Sequence, residues 1–130
     1  GARNIRIDAC RKNAEGAVVS FVRELPADVP GLLSKFLQPW NTVEQSEQWT
    51  CYADDVYQAE LDIDIAGVPV TIEGALELEP LADGCVNHVY MKIECGIPFV
   101  GGTLAEFVAI DCKRLIANEY DYITRRLASA

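Results

Sequence analysis

The sequence predicts an α+β fold in which a curved antiparallel β-sheet grips one long C-terminal α-helix, with a short helix between the early strands. Three observations carry that reading. Apolar residues recur at every second position in a series of segments separated by short turns, which is the pattern of an antiparallel meander with one buried face. From Thr103 to the end the spacing of apolar residues changes to about 3.6, the period of a helix with one broad apolar stripe. Between the two regimes stand Pro98 and Gly101-Gly102, residues that end a strand and bend the chain.

The elements follow in order. Ile5, Ile7 and Ala9 alternate with Arg6, Asp8 and Cys10, and Val19, Phe21 and Leu25 share a face over Ala17 to Leu25, with turn residues Asn13 to Gly16 between them. These two strands predict a hairpin. Pro26, Asp28, Pro30 and Gly31 break the ladder, and Leu32, Leu33, Phe36 and Leu37 have helical spacing for a turn or two before Pro39 closes the segment. Thr42 to Tyr52 resumes as a strand with Val43, Gln45, Glu47 and Trp49 on one side. After the turn Ala53 to Asp55, Tyr57, Ala59, Leu61, Ile63 and Ile65 alternate with Gln58, Glu60, Asp62 and Asp64, the clearest strand of the chain. Gly67 turns it into Val68 to Leu78, with Val70, Ile72, Leu76 and Leu78 inward and Thr71, Glu73, Glu77 and Glu79 toward water. A tight turn at Ala82 to Gly84 leads to Cys85 to Ile97, with Val89, Met91 and Ile93 on the buried side. On the final helix Leu104, Val108, Cys112, Leu115, Ile116, Tyr122 and Ile123 form the stripe, Thr103 with Glu106 reads as a capping box, and Arg125 and Arg126 suit the negative end of the helix dipole.

Composition bounds the function. A chain of 130 residues with no repeat or linker predicts a single domain over residues 1–130. Its net charge of -9 argues against nucleic acid as a partner, because that binding rests on a positive surface releasing counterions. No segment has the roughly 18 to 20 consecutive apolar residues needed to span a bilayer, and Gly1 to Asp8 lacks a signal peptide's apolar stretch, so a cytoplasmic protein without membrane insertion is expected. The five cysteines contain no C-x-x-C pair, and one histidine, His88, cannot complete a zinc set of ordinary spacing. Buried, reduced thiols and no metal or other cofactor are therefore expected. His88 is expected to face outward with Tyr90 and Lys92, and neither Cys85 nor Cys95 has an adjacent base, so no residue is assigned a catalytic role.

One polar constellation stands out from the alternation. Arg23 shares a face with Val19, Phe21 and Leu25, Glu47 shares one with Val43 and Trp49 on the next strand, and Glu119 falls within the arc of the helix stripe. Charges that point inward need partners. On one reading they form the floor of a cavity, orienting an amphipathic ligand whose apolar part lies against Leu61, Ile63, Ile72, Leu76, Met91 and Leu115. On the other, Arg23 and Glu47 are a cross-strand pair in a closed core and Glu119 reaches solvent. Trp40, Trp49, Tyr52 and Tyr57 cluster near strand ends, as aromatic residues at a cavity mouth do, and Glu60, Asp62, Asp64, Glu73, Glu77 and Glu79 read as the solvated convex face.

The stretches Leu25 to Gly31 (LPADVPG), Val43 to Trp49 (VEQSEQW), Gly67 to Leu78 (GVPVTIEGALEL), Ile97 to Gly102 (IPFVGG) and Glu119 to Leu127 (EYDYITRRL) resemble, in that order, an uncharacterised bacterial family known as domain of unknown function 2505. Through that family the chain resembles the START-like (SRPBCC), or helix-grip, superfamily. Family members begin with a further strand and one or two short helices, so the resemblance implies that Gly1-Ala2-Arg3 is the middle of a longer protein. The superfamily implies a protein binding a hydrophobic or amphipathic small molecule of lipid, polyketide or isoprenoid type between sheet and helix. Two alternatives are a cyclase- or aromatase-like enzyme using pocket carboxylates, and an interaction module that forms a homodimer or captures a client through a free strand edge.

Overall fold

A computed structural model describes all residues 1–130. Six strands, β1 (Arg3–Lys12), β2 (Gly16–Pro26), β3 (Trp40–Ala53), β4 (Val56–Ile65), β5 (Thr71–Leu81) and β6 (Gly84–Glu94), precede one helix, α1 (Gly101–Ala128). The strands form a single curved antiparallel sheet in sequence order, and the long helix completes an α+β arrangement consistent with a helix-grip fold. Strands β1 and β6 are its two free edges.

Register places every residue on one of two faces. Val19 of β2 pairs with Glu47 of β3, which pairs with Leu61, then Gly74, then Met91, so these five form one transverse row across the concave face. The adjacent row is Phe21, Gln45, Ile63, Ile72 and Ile93. Opposite-facing positions pair acidic and polar residues, Asp62 with Glu73 and Glu77 with His88, and the convex face carries the acidic stripe as expected. His88 lies on that face and meets Glu79 at 3.0 Å.

One end of the sheet is sealed. Leu33 and Leu37 from the β2–β3 connection, Val68 and Val70 from the β4–β5 connection, Val43, Ile65 and Ile72 from the strands, and Leu104 and Val108 from the helix make one buried cluster. The helix can start there only because residue 101 is glycine: a Cβ on Gly101 would stand 2.6 Å from the carbonyl oxygen of Cys95. That closeness comes from the bend, in which the Gly101 N–H donates to the carbonyl of Ile97 and the Val100 N–H to that of Pro98.

Several details differ from the expectations. The helix begins at Gly101 with Val100 as its N-cap and no side-chain cap, so Thr103 and Glu106 form no capping box; the bend has already started the helix two residues upstream. The segment after Pro30 makes a single 3₁₀ turn, Gly31–Leu33, with Leu33 and Leu37 inward and Leu32 exposed. Strand β5 starts at Thr71, because Val68 and Val70 bury themselves in the irregular link after Gly67, whose φ of 73° only glycine adopts at ease. Strand β6 ends at Glu94, short of Ile97. In β1 the register shifts between Ile7 and Ala9, so Cys10 rather than Ala9 pairs into the row of Val19; a bulge reverses the alternation. All five cysteines are free, but Cys10, Cys51 and Cys85 are exposed near strand ends or on the edge strand, and only Cys95 and Cys112 pack against the core. The aromatic residues divide as well: Trp40 stacks under Arg3 at the sealed end, 3.8 Å from the guanidinium, while Trp49 and Tyr57 stand at the other end and Tyr52 projects outward.

Candidate functional site

The helix apolar stripe is buried only over its first half. Leu104 is fully enclosed, whereas Tyr122 and Ile123 are more than half exposed, because the plugging connections sit at the sealed end and nothing equivalent covers the turns at the other. Arg114, which bonds Asp111 at 2.8 Å and reaches the carbonyl of Pro26 at 3.4 Å, marks where the anchored half ends. Beyond it the concave face stays open.

Three spaces result. Directly under the helix a narrow cavity of about 70 Å³ is lined by Arg23, Ile63, Ile72, Val108, Cys112 and Leu115, among others. A groove of about 540 Å³ runs between β6 and the helix, with Val89, Met91 and Ile93 on one wall and Cys112, Ile116 and Tyr120 on the other. Cys112 lines both, so cavity and groove adjoin. At the far end of the sheet a third hollow of about 570 Å³ is walled by Ala17, Val19, Trp49, Tyr57 and Leu78.

A connected polar network crosses this surface. The Arg23 Nη2 donates to Oε1 of Gln45 at 3.1 Å, Gln45 Nε2 donates to Oε2 of Glu47 at 2.9 Å, and the Trp49 indole N–H donates to Oε1 of Glu47 at 2.9 Å. The Arg23 guanidinium also lies over the Phe21 ring, 4.8 Å from its centroid. The other terminal nitrogen, Nη1, is buried and has no hydrogen-bond partner. Burial lowers the Arg23 pKa, and the charges of Glu119 and then Glu47 oppose that shift. Burial likewise raises the Glu119 carboxyl, against the attraction of Arg23 and with the repulsion of Glu47. The Cys112 thiol is pushed up by burial and by Asp111, which keeps it protonated and a poor nucleophile.

The direct Arg23 to Glu47 cross-strand pair considered from sequence is not made. Arg23 stands opposite Val43, four positions from Glu47 along the strand, and Gln45, midway between them, bridges the gap. Gln45 is the residue that sequence reasoning passed over, although its place between Val43 and Glu47 on the same face was legible. Of the ten residues singled out, Arg23, Ile63, Ile72 and Leu115 share the narrow cavity, Met91 lines the groove, and Trp49 lines the far hollow. Glu47 and Leu61 lie in the transverse row between them, and Leu76 sits one row beyond, opposite Ala59 and Val89. Glu119 is on the solvent-exposed half of the helix, within electrostatic reach of Arg23. No group of three or more His, Cys, Asp or Glu side chains is placed to hold a metal ion, and no helix is long and apolar enough to cross a membrane.

A family model described as protein of unknown function (DUF2505) matches residues 1–127. The chain belongs to the DUF2505 family. Among curated proteins it is similar to uncharacterized proteins of Mycobacterium bovis and of two Mycobacterium tuberculosis strains, each 24% identical over 99 residues, which is 75% of this chain and 57% of the relative. The match thus spans little more than half the length of those relatives. No solved structure matches the chain.

Proposed function

We propose that the protein holds a hydrophobic or amphipathic small molecule, of lipid, polyketide or isoprenoid type, between the open part of the sheet and the second half of the helix, in the cytoplasm and without transforming it. The observation that carries this reading is the groove in which Ile116 and Tyr120 face Val89, Met91 and Ile93 across about 540 Å³. Two apolar walls held apart by a rigid frame exclude neither water nor a ligand, and apolar surface gains free energy when an apolar body replaces the water. The resemblance to START-like proteins, which use the space between sheet and helix in this way, supports the same ligand class by analogy of fold.

Native mass spectrometry of the protein purified from its own source tests it. A bound species of lipid mass is expected; bare protein in every preparation, together with no binding of an environment-sensitive apolar dye, overturns the proposal. The enzymatic alternative has one observation in its favour, the raised Glu119 carboxyl on the helix near Arg23. Against it, both Glu47 oxygens are already occupied as acceptors, so Glu47 is held as a structural carboxylate.

A further inference from the structure

Three features lie outside the groove between β6 and the helix: the acidic convex hollow around Asp8, Glu44, Asp62 and Asp64, the exposed apolar last turns of the helix, and the unpartnered Arg23 nitrogen. The first holds no buried unpartnered polar atom, and nothing shows what would cover the second. The third is a buried donor with no protein acceptor, on a residue that lines the narrow cavity, and that cavity adjoins the groove at Cys112.

We infer that Arg23 Nη1 receives a neutral carbonyl oxygen of the ligand, a ketone, ester or amide, and that the site rejects a carboxylate of the same length. The inference rests on the carrier reading above and adds the chemistry of the ligand's polar end. A buried N–H without an acceptor costs more than an average hydrogen bond returns, so the empty position is a demand for an acceptor. It is not a demand for negative charge. The Arg23 charge is already within electrostatic reach of two carboxylates, Glu47 on the sheet and Glu119 on the helix. Asp111, which lines the same cavity, is engaged by Arg114 at 2.8 Å, and Cys112 is held as a neutral thiol. A ligand carboxylate would add a third negative charge to one positive charge in a narrow, mostly apolar cavity. A carbonyl supplies the acceptor and adds no charge.

The apolar part then extends from the carbonyl past Cys112 into the groove between β6 and the helix. Gly74 leaves room beside that path for the Met91 side chain. It occupies the transverse row between Leu61 and Met91, and the Met91 sulfur lies 2.6 Å from where a Cβ on residue 74 would stand. The flexible thioether fills the absent side chain's place and can turn aside for a ligand.

Trp49, linked to Arg23 through Glu47 and Gln45, is a built-in reporter. The chain has two tryptophans, and W40F leaves Trp49 alone. In that protein at pH 7, with 2-decanone, decanoate and decane as probes, 2-decanone is expected to bind about tenfold or more tighter than either of the others. R23M is expected to abolish the preference for the ketone over decane, and R23K, which keeps the charge but not the planar fork, to restore only part of it. Decanoate binding as tightly as the ketone overturns the inference and leaves the carrier reading intact. An equal loss for all three probes in a folded R23M also overturns it, because Arg23 would then be shaping the pocket alone. If no probe binds the W40F protein, the carrier reading itself fails. The ketone-to-acid ratio in protein with Arg23 intact decides the matter even if R23M does not fold.

Discussion

The two halves of the C-terminal helix share one sequence pattern and live in different surroundings. Leu104, in the first half, has 0% of its surface exposed; Ile123, five turns on in the same stripe, has 53%. The difference lies in what the sheet offers each. At the first half the β2–β3 and β4–β5 connections bring Leu33, Leu37, Val68 and Val70 inward, while the hairpin turns at the opposite end are short and carry no plug. An amphipathic stripe therefore specifies which side of a helix faces the sheet but not whether anything fills the space between. L104A is expected to cost about 3–5 kcal/mol, the range for emptying a fully enclosed leucine site. I123A is expected to stay within about 0.5 kcal/mol. Chemical denaturation midpoints of the two variants check the contrast, and equal losses would mean that the second half is packed as tightly as the first.

The next contrast is between neighbours. Gly101 and Gly102 stand side by side at the start of the helix, yet a Cβ at 101 would collide with the Cys95 carbonyl whereas nothing lies within 4 Å of one at 102. G101A is expected to destabilise by about 1–3 kcal/mol, since the obstacle is backbone and cannot rotate away. G102A is expected to stabilise by up to about 1 kcal/mol, because alanine in a helix loses less conformational entropy on folding than glycine does. Thermal melts with opposite signs for adjacent Gly-to-Ala changes would show that the sealed end depends on this one close approach. The same sign for both would place the tight contact elsewhere.

How much of this was legible beforehand follows the same division. The strand alternation from Tyr57 to Ile65 has no bulge, so its faces came out as read, with Ala59, Leu61 and Ile65 buried. In β1 one extra residue at the bulge reversed the faces after Ile7, and no residue type there announces it. The inward direction of Arg23 and Glu47 was readable from period two alone. Their separation was not: it depends on inter-strand register, which sets Arg23 opposite Val43 and makes Gln45 the bridge. The helix stripe was readable in full, and the half of it left uncovered was not, because cover comes from loops whose packing has no periodic signature.

The smallest expected effect concerns the charge that overhangs the open end. Burial raises the Glu119 carboxyl in the folded protein, and the attraction of Arg23 and the repulsion of Glu47 are already contained in that net direction. A group with a raised native pKa binds its proton more tightly when folded. Its contribution to stability is complete below the unfolded value of about 4.3 and is lost as pH rises through the native value. E119Q carries a neutral side chain at every pH and has no such loss. The variant and the wild-type protein should therefore have similar stability near pH 4, and E119Q should become the more stable of the two as pH rises, levelling off once wild-type Glu119 is ionised. Because Glu119 keeps contact with solvent, the gain is expected to be small. Glu119 stands on the half of the helix that leaves the groove open, so a bound apolar ligand should enlarge the gap between the two proteins by excluding water from its carboxylate. Melting curves from pH 4 to 8, with and without 2-decanone, measure both effects. A gap that narrows with rising pH would mean that Glu119 is held ionised by Arg23, closing the open end by an ion pair.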